Sequence, residues 1–128
     1  MIIKINSRSE IPIYLQLRNQ IVKGIGKGEL EQGEILPTVR QMAADLGVNA
    51  MTVSKAYQLL KAERFIETDR RKGSIVCIPE KEYPTQQAAF EEKLEDELEL
   101  LTAEAKIRGM DKGQFCQHIF EEMEMVPE

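Results

Sequence analysis

The chain has 128 residues, of which 42% are hydrophobic, and carries two cysteines, one histidine and a net charge of -5, enough for one compact core with an appendage. No apolar run approaches the roughly 18 residues that span a bilayer, and the N-terminus MIIKINSRSE lacks a charged region followed by a long apolar stretch; a soluble, cytoplasmic, unexported protein with no membrane partner is expected. Cys77 and Cys116 lie far apart, without the spacing of a zinc site or a disulfide framework, so buried free thiols are expected, and the single His118 argues against a His-rich metal site.

In chain order, Tyr14, Leu17, Ile21 and Ile25 recur at helical spacing behind Pro12, which suits a first helical turn. This predicts a first helix from Ile13 to near Gly28. The cluster GIGKGE that closes it follows a helix instead of a strand and lacks the Lys-Ser/Thr ending of a phosphate loop. It reads as a frayed helix end.

Thr38, with Gln41 three residues later, forms a capping-box pattern that starts a second helix at Val39, with Val39, Met42, Ala43 and Leu46 facing inward. Gly47 supplies the left-handed residue that ends it. Asn49 is a good N-cap for a third helix, and Val48 and Val53 stand at the spacing of a hydrophobic staple. Two helices joined by a three-residue turn containing glycine make a helix-turn-helix.

In the third helix Val53, Ala56, Tyr57 and Leu60 form the apolar stripe. Ala50, Met51, Thr52, Ser54, Lys55 and Gln58 are left on the other side or its flanks. That face is small, polar and weakly basic, as suits a helix lying in a DNA major groove.

Two β-prone segments, Phe65 to Thr68 and Ser74 to Ile78, then flank the basic turn Arg70, Arg71, Lys72, Gly73, which reads as a hairpin. A hairpin behind a helix-turn-helix is the wing of a winged helix. Its cations suit a phosphate backbone or minor groove, and Gly73 permits close approach of the main chain.

Near IPEKEYPT, Pro79 and Pro84 bracket a charged segment without periodicity, expected to be a linker over 80–84. The charge changes there as well. Residues 1–79 hold 12 Lys and Arg against 8 Asp and Glu, a net of +4, whereas residues 80–128 hold 5 against 14, a net of -9. Charges beyond about 10 Å are largely screened at moderate salt, so the acidic end does not keep the basic front from a polyanion.

Beyond the linker Thr85 caps an expected long helix in which Phe90, Leu94, Leu98, Leu101 and Ala105 recur, with Lys106 and Arg108 at its negative end and Gly109 as its stop. Asp111 and Gln114 start a last helix carrying Phe115, Ile119 and Met123 on one face, with Cys116 and Phe120 beside it. Two such helices cannot bury their apolar faces alone. Either the front domain or the same helices of a second chain must cover them, and the linker together with the acidic surface favours a homodimer. The expected architecture is mainly α with a small β-wing: a winged helix-turn-helix over 1–79, the linker, and a helical dimerisation segment over 85–128.

The segment from Ile25 to Arg40, I-x-x-G-x-L-x-x-G-x-x-L-P-T-x-R, followed by LGVNAMTVSKAYQLL and KGSIV, resembles the GntR family of bacterial transcription regulators. The short tail and the wording VNAMTVSKAY look most like its YtrA-type branch. The resemblance implies a winged helix-turn-helix that binds an operator as a dimer through two C-terminal helices, commonly as a repressor. It places Arg40 on a guanine or a phosphate, Thr52 on a phosphate and Gly73 in the minor groove. Many relatives have arginines at the positions of Ala50 and Ser54, which leaves base readout by the third helix to Met51, Lys55 and Asn49; Arg64 and Arg71 also stand where glycines are usual.

The expected function is therefore a homodimeric, sequence-specific regulator, a repressor of a palindromic double-stranded DNA operator. It would use Thr38, Arg40, Asn49, Met51, Thr52, Ser54, Lys55, Arg71, Lys72 and Gly73 on DNA, and Phe90, Leu94, Leu98, Leu101, Phe115, Ile119 and Met123 in the dimer. No cofactor or metal is expected, and a small-molecule effector is left unidentified. The alternative is a winged-helix adaptor for protein contacts without DNA binding. An enzyme is not expected: there is no nucleophile elbow or metal-ligand cluster, and the carboxylates from Glu91 to Glu99 read as a solvated helix face.

Overall fold

The computed structural model describes residues 3–78 and 84–124. The chain divides into two compact units, Met1–Pro79 and Glu80–Glu128. The expected linker falls outside the described residues except for Pro84, which begins a helix.

The first unit contains α1 (Ile13–Gly26), α2 (Val39–Leu46), α3 (Ala50–Ala62), β1 (Ile66–Asp69) and β2 (Gly73–Val76). Both α1 and α2 pack on α3, which also meets β1. The core is built from Leu17 and Ile21 of α1, Leu30 and Leu36 of the α1–α2 connection, Met42 and Ala43 of α2, the α3 stripe Val53, Ala56, Tyr57 and Leu60, and Ile66 and Val76 of the hairpin. Burying a Leu or Ile side chain completely stabilises by about 1.5–3 kcal/mol, so Leu17, Ile21 and Leu60, each with no exposed surface, hold α1 to α3.

The helix α1 ends at Gly26, two residues earlier than the glycine spacing predicts. The carbonyl of Gly24 accepts the N–H groups of both Glu29 and Leu30, at 2.9 and 3.1 Å, and Gly28 turns the chain at φ 77°. That closure drives Leu30 into the core. Arg18, on the same helix, makes a two-pronged ion pair with Glu63 at 2.6 and 2.9 Å and lies over the Phe65 ring, 5.8 Å from its centroid. It ties α1 to the exit of α3 just before the hairpin.

The hairpin pairs Ile66 with Val76 and Asp69 with Gly73. Its strands are each displaced from the sequence expectation: β1 runs from Ile66 to Asp69, and Gly73 belongs to β2 instead of the turn. Arg64 adopts φ 66°, a left-handed conformation that costs a side-chain-bearing residue and that glycine adopts freely. The chain before β1 thus needs that backbone shape whichever residue occupies it.

A third rung extends this sheet, which sequence patterning does not reveal. Gly33 donates to the carbonyl of Val76, Val76 donates to that of Glu34, and Leu36 donates to that of Ser74, at 2.8–2.9 Å, with Ile35 bridging Ile75. The segment is too short for alternation to register. It anchors the approach to α2 on the root of the wing.

The second unit contains α4 (Pro84–Ile107) and α5 (Lys112–Glu124). The long helix starts at Pro84, so Thr85 lies inside it and is not its cap; a proline in the first turn has no N–H to leave unpaired. At its other end Gly109 takes φ 80°, and the N–H of Met110 returns to the carbonyl of Ala105 at 2.9 Å, the left-handed stop expected of that glycine. Asp111 and Gln114 form a reciprocal capping box at 2.9 and 3.1 Å.

Candidate nucleic-acid interface

Both helices of the helix-turn-helix start where the capping residues place them. Thr38 Oγ1 accepts the N–H of Gln41 at 3.1 Å, and Gln41 Oε1 accepts that of Thr38 at 2.9 Å, so α2 carries a complete capping box. Gly47, at φ 67°, stops α2. Asn49 Oδ1 accepts the N–H of Met51 at 2.7 Å and caps α3. The turn between the helices is thereby reduced to Gly47, Val48 and Asn49, with Val48 packed against the core.

Arg40, the second residue of α2, is exposed and makes no ion pair among the described residues. Its position follows from a contact made elsewhere. The hydroxyl of Tyr57, on the buried stripe of α3, donates to the carbonyl of Pro37 at 2.7 Å, fixing the chain immediately before the Thr38 cap. Burial pushes the Tyr57 phenol up to about 12, because the anion would be stranded away from water.

On the outward side of α3, Ala50, Met51 and Lys55 are exposed, and Thr52 and Ser54 are half-buried. The exposure of Met51 reaches 79%. Lys55, although exposed, folds back along the surface: its ammonium lies 4.0 Å from the centroid of the Tyr14 ring, in the cation–π position. No sequence pattern indicates this, since Tyr14 lies in the first turn of a different helix.

At the wing tip, Asp69 Oδ1 accepts the N–H groups of Arg71 and Lys72 at 2.8 and 3.0 Å. The Arg71 bond first, then the Lys72 bond and its nearby charge, hold the Asp69 carboxyl below its ordinary value. Arg70, Arg71, Lys72 and Gly73 are exposed, and Gly73 takes φ 92° with nothing within 4 Å of the place a Cβ would occupy. An aspartate four residues before a glycine, with cations between, is a legible turn signal. Asp69, unlike Arg71 and Lys72, is not among the residues expected at the interface, yet its carboxyl shapes the tip that carries them.

Of the residues expected at a dimer interface, Leu101, Phe115, Ile119 and Met123 come together along an open, mostly apolar groove of about 470 Å³ between α4 and α5. Phe90, Leu94 and Leu98 lie further toward the start of α4 and do not line it. None of the described side chains of this unit is buried; Phe90, Leu101 and Met123 are 55–71% exposed. His118 lines the same groove. Both cysteines are free and half-buried, not fully buried as expected.

Among the described residues no group of His, Cys, Asp or Glu could hold a metal ion, and no helix is long and apolar enough to cross a membrane. Three helices with the second and third capped as a helix-turn-helix, followed by a two-stranded hairpin with a basic tip, define a winged helix-turn-helix. The family model for bacterial regulatory proteins of the gntR family matches residues 13–76, which is half of the chain and all of the helix-turn-helix and hairpin; the chain belongs to the GntR family.

Relatives agree. The chain is 38% identical over 74 residues to the HTH-type transcriptional regulator Rv1152 of Mycobacterium tuberculosis, covering 58% of this chain and 61% of that one. It is 42% identical over 74 residues to the HTH-type transcriptional repressor YtrA of Bacillus subtilis, covering 58% and 57%. The chain thus spans about three fifths of the length of these two relatives. A solved structure of a transcriptional antiterminator from Listeria monocytogenes EGD-e matches with a TM-score of 0.79 at 27% identity, covering 100% of this chain and 95% of that one.

Proposed function

We propose that this protein is a sequence-specific regulator that binds a palindromic double-stranded DNA operator as a homodimer and represses transcription from it. The observation that carries the reading is the pairing of two capped helices, whose exposed starts bear Arg40 and Met51, with a wing tip of three adjacent cations. A helix N-terminus and basic side chains are what phosphate backbones and base edges select. Thr38, Arg40, Thr52, Lys55, Arg71, Lys72 and Gly73 would meet the backbone or the guanine edge. Asn49, which caps α3, contributes by placing that helix.

The homodimer reading rests on the exposed apolar faces of α4 and α5, which water penalises until a second copy covers them. Two-fold pairing would present two recognition helices about 34 Å apart, one turn of DNA. The naming of a curated relative as a repressor supports the sign of regulation. A mobility-shift titration of the full chain on duplexes from its own promoter region, at several salt concentrations, tests the proposal. The expected result is a retarded band whose affinity falls steeply with salt; no band at low salt would overturn it.

A further inference from the structure

On the recognition helix, the side chains that could read a base by polar contacts are largely engaged or short. A helix entering the major groove reads base edges with its N-terminal residues, here Asn49 and the first two turns of α3. Asn49 would need both its amide oxygen and its nitrogen to recognise adenine, but the oxygen already accepts the N–H of Met51 at 2.7 Å. The Lys55 ammonium is held over Tyr14 at 4.0 Å, where it suits a phosphate beside the α1–α3 junction better than the floor of the groove. Thr52 and Ser54 are short and half-buried, Ala50 offers a methyl group, and Gln58 lies two turns further along.

What remains is Met51, 79% exposed at the second position of the helix. A single exposed Met elsewhere on a surface needs no explanation. This one occupies the place from which a recognition helix reads, and it is unbranched, flexible and apolar. The apolar feature of a base edge in the major groove is the C5-methyl group of thymine.

We infer that Met51, with the methyl group of Ala50 beside it, reads a thymine C5-methyl group in each half-site, so that α3 recognises its operator by apolar contact while Arg40 supplies the polar readout. Specificity on this helix is then for methyl-bearing bases, and Tyr14 serves it by drawing Lys55 aside. The inference rests on the DNA-binding function proposed above and adds the chemistry that the helix recognises.

The test uses a duplex enriched by the full-length chain from a randomised pool. Each thymine of that duplex is replaced in turn by deoxyuridine, which removes the methyl group and leaves every hydrogen-bonding group in place. One thymine per half-site is expected to respond, with affinity falling about fourfold for one half-site and about fifteenfold for both, the value of one or two buried methyl groups. Met51→Ala should bind the original duplex more weakly and be indifferent to the same replacement; thermal unfolding checks that this exposed substitution leaves the fold intact. A selected half-site without thymine, a wild-type protein blind to uracil at every thymine, or an M51A variant that keeps the full response would each overturn the inference while leaving DNA binding standing. If no duplex is enriched or shifted even at low salt, the DNA-binding reading fails and this inference falls with it.

Discussion

The Tyr57 hydroxyl, on the buried face of α3, donates to the Pro37 carbonyl, the residue before the α2 cap, at 2.7 Å. One hydrogen bond therefore spans from the recognition helix to the start of its partner and sets where Arg40 stands relative to Met51. Tyr57 is only 2% exposed, and its ring belongs to the core while its oxygen reaches the chain just before α2.

Replacing Tyr57 by Phe is expected to keep the packing and lose the bond, at a cost of about 1–2 kcal/mol in stability, since a poorly hydrated carbonyl is left without its donor. Denaturant unfolding measures this. The same residue gives a pH dependence: its phenol is raised from 10.0 to about 12 in the folded protein, so the unfolded chain loses that proton first. The contribution is fully present below about pH 10 and is lost as pH rises from there toward 12. Y57F should abolish that part of the alkaline loss, and an unchanged alkaline profile would remove Tyr57 as its source.

Arg40→Ala is expected to weaken binding to a selected operator by about 1–3 kcal/mol if the guanidinium makes a bidentate contact to guanine, with a much smaller effect on unrelated duplex. Equal losses on both duplexes would instead assign Arg40 to phosphate. Because its side chain makes no ion pair among the described residues, stability should be unaffected, and thermal unfolding provides that control.

The wing should separate charge from shape. Arg71→Ala and Lys72→Ala are each expected to lower the slope of log affinity against log salt by about 0.9 per lost phosphate contact. Asp69→Ala removes no cation but frees the two N–H groups it holds. It should therefore weaken binding through a looser tip, and amide exchange at Arg71 and Lys72 should accelerate. The Asp69 carboxyl titrates below its ordinary value, so its support for the tip is present at neutral pH and is lost as pH falls through its folded pKa.

Leu101→Glu or Ile119→Glu, each placing a charge in the groove between α4 and α5, is expected to shift a proposed dimer to monomer in sedimentation experiments at micromolar concentration. Operator affinity should fall with it, since the second half-site is then reached only by a separate binding event. A variant that sediments as the wild type would take these residues out of the interface.

The local structure was largely legible because its determinants are local. Thr38 with Gln41, Asn49, Gly47, Gly109, and Asp111 with Gln114 each act within four residues through backbone hydrogen bonds that any chain of this composition can form. The core stripes were legible as period 3.6, and Leu17, Ile21, Val53, Ala56, Tyr57 and Leu60 are all buried. Element edges were less so. Strand ends around Asp69 and Gly73 depend on which groups pair across the hairpin, and Thr85 is inside a helix because Pro84 can begin one.

By itself, then, the sequence determined the capped starts of α2, α3 and α5 and the glycine stops of α2 and α4, which faces are apolar and that charge divides between the two ends of the chain. Tertiary structure alone decided the contacts between residues distant in sequence: Tyr14 drawing Lys55 aside, Tyr57 holding Pro37, Arg18 paired with Glu63, and residues 33–36 joining the wing sheet. The physical reason is that a cap or a glycine stop carries its own partner within a turn of chain, whereas a cation over a ring or a hydroxyl on a distant carbonyl exists only after packing has brought two helices together.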